Sequence, residues 1–275
     1  MARFTDKVVI VTGSSAGIGK AVILGFAKEG ASVVLHGINT ERLAEAEKAL
    51  HDAGILESRI LKVQGELNDD ATQDKLINET IARFGKIDVL VNNAGVFKKP
   101  GGTTTATENF DFVFAVNVRA VFRLVELATP YLEKTKGNII NVSSIAAISK
   151  STEAGIEGVI YSMSKSAIDR FTQNINQSLM KKGIRINNIN PGPFESNIQQ
   201  RAIINATDAE RAAFNEKREQ LFRFVTPAGR CGNPTELVPA FLLLADEKSS
   251  FITGSLWVID GGMHTWAPEA SDLKL

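Results

Sequence analysis

The chain has 275 residues, of which 44% are hydrophobic and 23% are charged, and its formal net charge is zero. A chain of this length buries enough apolar surface to fold without disulfides, and its neutral balance argues against nucleic acid or an anionic membrane surface as a partner. The single cysteine, Cys231, permits no disulfide within the chain, so a reducing, cytoplasmic location is expected.

No segment has the pattern of a signal peptide or the length of a membrane span, so neither export nor membrane insertion is expected. The three histidines, His36, His51 and His264, are scattered along the sequence, so no metal site is expected. His36 ends a strand-like segment near the expected adenosine site, but a core or surface role is the simpler interpretation.

Short apolar segments alternate with segments of helical periodicity along the whole sequence. The predicted strands are Lys7–Thr12, Ser32–His36, Ile60–Val63, Val89–Val91, Asn138–Val142, Arg185–Ile189 and Leu256–Ile259. The predicted helices are Gly17–Glu29, Thr40–Ala53, Ala71–Phe84, Thr107–Leu132, Tyr161–Lys182 and Thr235–Leu244. Because strict alternation gives parallel strands with crossover helices, we predict an α/β fold. It is a single domain over residues 1–275, with one doubly wound parallel sheet of the Rossmann type and helices on both faces.

The stretch from Phe110 to Ala128 is apolar on nearly every side of its predicted helix. Such a helix must be buried all round, whereas packing on a sheet covers one face only. We therefore expect a homo-oligomer, a dimer or a tetramer, that covers the second face. Burial of that face within the same chain is the alternative.

A glycine-rich segment, Thr12–Gly19, lies between the first predicted strand and the first predicted helix. Glycines at such a turn let backbone N–H groups approach a pyrophosphate, and the N-terminus of the helix adds a favourable dipole. The segment predicts a dinucleotide site formed by Gly13, Ser14, Ser15, Gly17, Ile18 and Gly19, with a purely structural turn as the alternative.

Tyr161 is one of only two tyrosines in a chain with fifteen phenylalanines, and it precedes Lys165 by one helical turn. That spacing places both side chains on one face of a helix. A nearby ammonium favours the phenolate and lowers the pKa of the phenol, which suits it to proton transfer. A chance spacing on an exposed helix is the alternative.

Several motifs, in this order, resemble those of the short-chain dehydrogenase/reductase family over nearly the whole chain. They are Gly13-x-x-x-Gly17-x-Gly19, Asn92-Asn93-Ala94-Gly95, Ser144, Tyr161-x-x-x-Lys165 and Asn190-Pro191-Gly192. The resemblance implies that Tyr161 transfers a proton, that Ser144 hydrogen-bonds the same substrate oxygen, and that Lys165 holds the cofactor ribose. It also implies that Asn117 anchors a water that relays protons from Lys165, and that Ser144 rather than Ser143 is the catalytic serine.

The resemblance implies the cofactor contacts as well. Asn93, Ala94 and Gly95 would line the adenosine side, Glu66 and Leu67 would contact the adenine, and the nicotinamide end would be held by Pro191, Gly192, Phe194 and Ser196. Enzymes that use NAD carry an acid at the end of the second strand, where this chain has Gly37. Ile38 and Ala16 occupy the positions where NADP users often have a basic residue. The chain therefore lacks both the acid typical of NAD users and the basic residue typical of NADP users. No acid at position 37 would repel the 2′-phosphate of NADP(H). Because that phosphate could be contacted by Ser14, Asn39, Thr40 and Arg42, NADP(H) is expected over NAD(H).

The expected activity is hydride transfer between nicotinamide and a carbonyl or alcohol, as in a carbonyl reductase or an alcohol dehydrogenase. A lipophilic ketone or secondary alcohol is favoured by the apolar residues Val96, Phe97, Ile145 and Phe194. A polar insertion over Lys150–Glu157 would rim the substrate mouth, and residues 195–225 would form a helical lid, with a pair of solvated surface helices as the alternative. An NAD-dependent dehydrogenase and a catalytically idle, cofactor-binding scaffold are the alternative functions.

Overall fold

The computed structural model describes residues 2–101, 105–149, 155–195, 207–265 and 267. Its strands are β1 (Val8–Val11), β2 (Ser32–Gly37), β3 (Ile60–Gln64), β4 (Val89–Asn92), β5 (Asn138–Val142), β6 (Arg185–Pro191) and β7 (Leu256–Ile259). They form one parallel seven-stranded sheet in the order β3-β2-β1-β4-β5-β6-β7. The predicted doubly wound parallel sheet is therefore confirmed.

Helices connect the strands and cover both faces of the sheet. They are α1 (Gly17–Lys28), α2 (Thr40–Asp52), α3 (Asp70–Phe84), α4 (Ala106–Phe114), α5 (Ala120–Thr135), α6 (Ile156–Met180), α7 (Asp208–Val225) and α8 (Val238–Ala245). Polar N-caps start several of them, because Asn39, Asp69 and Thr105 each accept a hydrogen bond from a backbone N–H of the first turn.

Strand residues alternate between two apolar cores, one on each face of the sheet. In β1, Val9 and Val11 join the core that α1, α2 and α8 cover, whereas Ile10 joins the core that α3, α5 and α6 cover. Fully buried side chains such as Phe26 and Leu124 anchor the two cores, and each such burial stabilises the fold by roughly 1.5–3 kcal/mol. The continuous apolar character of β1 follows from this two-sided burial.

The predicted helix Thr107–Leu132 is interrupted. α4 ends at Phe114, a π-helical turn occupies Ala115–Arg119, and α5 continues from Ala120. The wide turn contains Asn117, whose carboxamide hydrogen-bonds the backbone of Val96, outside the helix. Such single-turn bulges occur frequently at functional sites.

Most apolar residues of the stretch Phe110–Ala128 are buried or half-buried by the chain's own sheet and by its helices α3 and α6. Phe122 is the exception, with 52% of its surface exposed, and its ring centroid lies 5.7 Å from that of Phe171 on α6. Burial within the chain thus accounts for part of the pattern that suggested a second subunit, and the homo-oligomer stays a prediction.

Two other predicted helices start at different residues in the structure. Gly155, with φ of 131°, leads into α6, which starts at Ile156 rather than Tyr161, so the described end of the predicted insertion belongs to the first helical turn. A 3-10 turn, Pro234–Leu237, precedes α8. Residues 150–154 of the insertion and 196–206 of the predicted lid lie outside the described residues, and α7 forms the remainder of the lid segment.

Within the described ranges, no helix combines the length and the apolar character needed to cross a bilayer. Across the same residues, no three side chains of His, Cys, Asp or Glu converge as metal ligands would.

Candidate active site

The strand order reverses at β1 and β4, with β2 and β3 on one side and β5, β6 and β7 on the other. In open parallel sheets, ligands bind in the crevice outside the carboxyl ends of the strands at this point. The loops that follow β1 and β4 carry the Thr12–Gly19 and Asn93–Gly95 segments. The sheet therefore brings the two predicted cofactor motifs to one edge.

The glycine-rich loop has the shape that a pyrophosphate requires. Gly13 and Gly17 adopt φ of 64° and 54°, a left-handed conformation that favours glycine. A Cβ on Gly19 would lie 2.4 Å from Asn93 Nδ2, so only glycine lets α1 approach this closely. Ala16 occupies the N-cap position of α1 and has no side-chain acceptor, which leaves N–H groups of the first turn for a ligand. These features fit the diphosphate of a dinucleotide.

Asn93 and Ala94 tie the β4 loop to the β1 loop. Asn93 Nδ2 donates to the carbonyls of Thr12 and Gly13 at 2.8 and 3.2 Å, and the Ala94 N–H donates to Thr12 Oγ1 at 3.0 Å. The segment therefore holds the two loops in register.

His36 supports the same loop from β2, a contact that sequence reasoning missed. The ring is buried, and its Nδ1 accepts a hydrogen bond from the Gly13 N–H at 3.1 Å. Burial lowers the pKa of His36 to about 4, while the Gly65 carbonyl acts in the opposite direction. An accepting Nδ1 requires a neutral ring with its proton on Nε2.

Ser14 and Ser15 are also buried. The Ser14 hydroxyl accepts a hydrogen bond from the His36 N–H at 3.0 Å. Ser15 lies against Gly37, where a Cβ would meet Ser15 Oγ at 2.7 Å. In this arrangement the Ser14 hydroxyl holds β2, and its expected contact with a 2′-phosphate stays a prediction.

The other residues expected near a 2′-phosphate lie at the start of α2. Asn39 caps the helix by accepting from the Arg42 N–H at 2.8 Å, and Thr40 Oγ1 accepts from Gln64 Nε2 at 2.9 Å. The Arg42 guanidinium forms no salt bridge with another described residue. A cation and a helix N-terminus therefore meet beside the end of β2.

The two residues expected near the adenine differ in exposure. The Leu67 side chain is buried in the core, and its carbonyl accepts from Gln73 Nε2 at 2.6 Å. Glu66 is exposed. Any adenine contact of Leu67 would consequently come from its backbone.

Lys165 and Tyr161 lie on one face of α6. The Lys165 side chain is buried, its Nζ donates to the Val142 carbonyl at 2.8 Å, and the same atom lies 5.7 Å from the Tyr161 ring centroid. Burial lowers the pKa of Lys165 to about 8, and the Asp169 carboxylate acts in the opposite direction. Lys165 is thus still mainly an ammonium at neutral pH, and an ammonium favours the phenolate form of a neighbouring tyrosine.

The structure separates the two adjacent serines at the end of β5. Ser143 is buried, and its hydroxyl donates to the Lys165 backbone carbonyl at 3.2 Å. Ser144 is partly exposed, and its hydroxyl accepts from the Ala146 N–H at 3.1 Å, which leaves its own proton for another acceptor. Of the two, Ser144 has the access that a substrate contact needs.

Asn117 and Lys165 meet beside Gly95. Asn117 Oδ1 accepts from the Val96 N–H at 2.8 Å, while its Nδ2 donates to the Val96 carbonyl and to Ser164 Oγ at 2.9 and 3.0 Å. A Cβ on Gly95 would lie 3.3 Å from Lys165 Nζ and 3.5 Å from Asn117 Oδ1. In the Asn117 carboxamide, the second lone pair of Oδ1 is therefore the position left to accept a hydrogen bond from the expected water.

The loop expected at the nicotinamide end follows Pro191, the last residue of β6. The Gly192 N–H donates to the Ile259 carbonyl at 2.9 Å, and a Cβ on Gly192 would lie 2.5 Å from the Asp260 Cβ, which requires glycine. The Phe194 ring is buried against Gly232, so it belongs to the core more than to an open pocket wall. Ser196 lies outside the described residues.

Comparisons with known proteins cover nearly all of this architecture. The short chain dehydrogenase family model matches residues 7–206. The 3-oxoacyl-[acyl-carrier-protein] reductase of Thermotoga maritima is 31% identical over 95% of this chain and 99% of its own length. A short-chain dehydrogenase/reductase of unknown function from Caenorhabditis elegans, solved with cofactor, gives a TM-score of 0.87 at 34% identity over 96% of this chain and 97% of its own. A 7α-hydroxysteroid dehydrogenase solved with NADH and 7-oxo glycochenodeoxycholic acid gives 0.80 at 29% identity over 95% of both chains.

Proposed function

Because the chain belongs to the short-chain dehydrogenase family, we propose that it is an NADP(H)-preferring carbonyl reductase or alcohol dehydrogenase. The observation that carries the proposal is the buried Lys165 ammonium beside Tyr161. Burying a lysine costs free energy, and its lowered pKa is the signature of that cost. A cofactor-binding scaffold would have no use for such a group, whereas a proton-transfer site needs it.

The side chains divide the work of the proposed reaction. Tyr161 gives a proton to the carbonyl oxygen in reduction, or takes one from the alcohol in oxidation. Ser144 donates a hydrogen bond to the same oxygen and stabilises the charge that develops there. Lys165 holds the ribose hydroxyls and favours the phenolate, and Asn117 orients the loop at Val96 beside them. When bound, the nicotinamide cofactor supplies or accepts the hydride.

The preference for NADP(H) rests on the end of β2. No carboxylate stands at Gly37 to repel a 2′-phosphate, and the Arg42 guanidinium and the Thr40 hydroxyl lie at the N-terminus of α2. A guanidinium with a helix N-terminus is a favourable setting for phosphate. The diphosphate would lie on Gly13–Gly19, the adenosine beside Asn93–Gly95, and the nicotinamide end at Pro191 and Gly192.

A lipophilic ketone or secondary alcohol is the proposed substrate. Val96, Phe97 and Ile145 are partly buried near Tyr161 and Ser144, and the Phe97 ring centroid lies 5.4 Å from that of Tyr161. On α7, Leu221 and Phe224 present apolar surface, which suits a lid over such a pocket. The relatives add two carbonyl classes to consider, an acyl thioester and an oxo steroid acid.

A dimer or tetramer that covers Phe122 and the adjacent face of α6 is the proposed assembly, since these residues expose apolar side chains. A reducing, cytoplasmic setting suits a chain whose only cysteine is Cys231.

The proposal is tested by titrating the protein with NADPH and with NADH at one ionic strength, following cofactor fluorescence. We expect NADPH to bind at least about tenfold more tightly, as one added charge-assisted contact would provide. A screen with NADPH then compares lipophilic ketones, a 3-oxoacyl thioester and an oxo steroid with small polar carbonyls. Tighter NADH binding would overturn the cofactor assignment, and turnover of small charged substrates alone would overturn the substrate class.

A further inference from the structure

We propose that Asp169 is a positioning residue of this site, whose buried carboxylate anchors the backbone at Ser144 and supplies the negative charge that faces Lys165. The residue lies on α6, one turn after Lys165 and two turns after Tyr161. The catalytic meaning of the inference rests on the proposed function, but the contacts that carry it do not.

The Asp169 carboxylate is only 6% exposed and forms no salt bridge with any described residue. Its two oxygens accept instead from neutral amides of β6, Oδ1 from Asn188 Nδ2 and Oδ2 from Asn190 Nδ2, each at 2.8 Å. An ionised carboxylate is an acceptor only, so both amides are oriented with their NH₂ groups toward it.

The orientation continues across the sheet. Thr172 Oγ1 donates to Asn188 Oδ1 at 2.6 Å, Asn141 Nδ2 donates to Thr172 Oγ1 at 2.9 Å, and Asn92 Nδ2 donates to Asn141 Oδ1 at 2.8 Å. Every donor in this buried chain points toward Asp169. A neutral amide at position 169 would have only one accepting oxygen. The NH₂ group of one β6 asparagine would then face the NH₂ group of the new amide.

One branch of the network reaches the candidate serine. Asn190 Nδ2 donates both to Asp169 Oδ2 and to the Ser144 carbonyl, the latter at 3.2 Å. Asp169 therefore fixes the amide that holds the backbone from which the Ser144 hydroxyl projects.

The charge of Asp169 acts on Lys165. Of the other described groups close to Lys165 Nζ, the Val142 carbonyl, the Gly95 backbone and Asn117 Oδ1 are neutral, and the Tyr161 phenol is the titratable one. Burial disfavours the ammonium, and Asp169 is the described charge that opposes this effect. A buried carboxylate without a cation in contact is costly. The favourable interaction of its charge with the Lys165 ammonium offsets part of that cost.

The test follows the titration of Lys165 by NMR in protein labelled with ¹³C-lysine, using the Cε signal that is missing from Lys165→Arg. Asp169→Asn is compared with Asp88→Asn, because Asp88 is similarly buried at 5% exposure but lies at the amino end of β4, beside Lys7 and Lys86. We expect Asp169→Asn to lower the Lys165 midpoint by roughly one pH unit or more, and Asp88→Asn to leave it unchanged. Equal midpoints in the parent and both variants would overturn the proposal.

A second variant covers the case in which Asp169→Asn does not fold. In Asp169→Asn/Asn188→Asp, the carboxylate moves across one hydrogen bond, and every donor in the chain keeps an acceptor. We expect urea unfolding to show stability close to the parent and the Lys165 midpoint to return to the parental value. A stable swap whose Lys165 midpoint stays a full unit lower would contradict the role of the network charge.

Neither measurement needs turnover. A protein that reduces no carbonyl would therefore refute the proposed function, while the titration alone decides the role of Asp169. Where turnover is found, we expect Asp169→Asn to shift the alkaline fall of kcat to lower pH, and Asp88→Asn to leave it in place.

Discussion

Gly37 lies directly against Ser15, so that a Cβ on Gly37 would come within 2.7 Å of the Ser15 Oγ and 3.0 Å of its Cβ. The acid that selects NAD would have to stand at this position, at the end of β2. The close contact means that the chain lacks both the acid and the room for it. We therefore expect cofactor choice to depend on Gly37 and Ser15 together.

The pair gives a prediction for Gly37→Asp. We expect NADPH binding to weaken at least about tenfold through charge repulsion, with no gain in NADH binding because Ser15 must move. In Gly37→Asp/Ser15→Gly the space is restored, and NADH should bind more tightly than NADPH. Fluorescence titration of both variants, with Ser15→Gly alone as the control, checks this. A gain in NADH affinity from Gly37→Asp alone would show that Ser15 imposes no barrier.

The adjacent serines provide a matched pair. We expect Ser144→Ala to lower kcat by about 100-fold, the magnitude typical of one lost donor to a developing oxyanion, with NADPH affinity unchanged. Ser143→Ala removes only the hydrogen bond to the Lys165 backbone carbonyl and should cost about 1 kcal/mol of stability. Steady-state kinetics and urea unfolding distinguish the two. A larger loss of kcat in Ser143→Ala would reverse the assignment.

His36 predicts a specific acid sensitivity. Its pKa falls from 6.5 to about 4 in the folded chain because burial disfavours the charged ring, and the groups that contact it, the Gly13 N–H and the Gly65 carbonyl, are neutral. Below pH 6.5, His36 binds a proton in the unfolded chain but stays neutral in the folded chain. The stabilising contribution is therefore complete above pH 6.5 and is lost as the pH falls toward about 4, by at most about 1.4 kcal/mol for each pH unit.

His36→Asn is the matched variant, because its Oδ1 can accept from the Gly13 N–H in place of Nδ1 and it carries no titratable group. Urea unfolding across the same pH window should show a shallower loss of stability than in the parent. NADPH affinity at neutral pH should survive in His36→Asn and fall in His36→Leu, which offers no acceptor. Parallel pH curves for parent and His36→Asn would mean that other groups cause the acid sensitivity.

The exposed apolar face predicts the effect of a charge at Phe122. Phe122 on α5 and Met163 on α6 are about half exposed, and a charge placed in a buried contact between copies would be costly. We expect Phe122→Asp to shift the protein to a smaller species in light scattering, whereas Leu56→Asp, at another exposed position, leaves its size unchanged. A parent that is already monomeric would remove the basis for the expected oligomer.

Local patterns sufficed to predict the strands, because they are short segments rich in apolar residues that alternate with segments of helical periodicity. The π-helical turn at Asn117 could not be predicted, since the contact that draws Asn117 outward is with Val96 in a distant loop. The His36–Gly13 contact joins β2 to the loop after β1, and no sequence periodicity predicts it. The four-residue spacing of Tyr161 and Lys165 also puts Asp169 on the same face of the helix. The burial of its carboxylate and its partners on β6 depend on tertiary contacts, which the spacing does not show.

The measurement that tests the central claim most directly is the carbonyl-dependent oxidation of NADPH by the parent and by Tyr161→Phe, with NADPH binding measured in both. The phenol is proposed to transfer the proton, so its removal should slow turnover by at least about 100-fold and leave NADPH affinity unchanged. Equal turnover in the two proteins would reject the role of Tyr161. A parent that binds NADPH, oxidises it with no carbonyl of the screened classes and reduces NADP⁺ with no alcohol would mark the chain as a cofactor-binding scaffold and contradict the proposed enzyme.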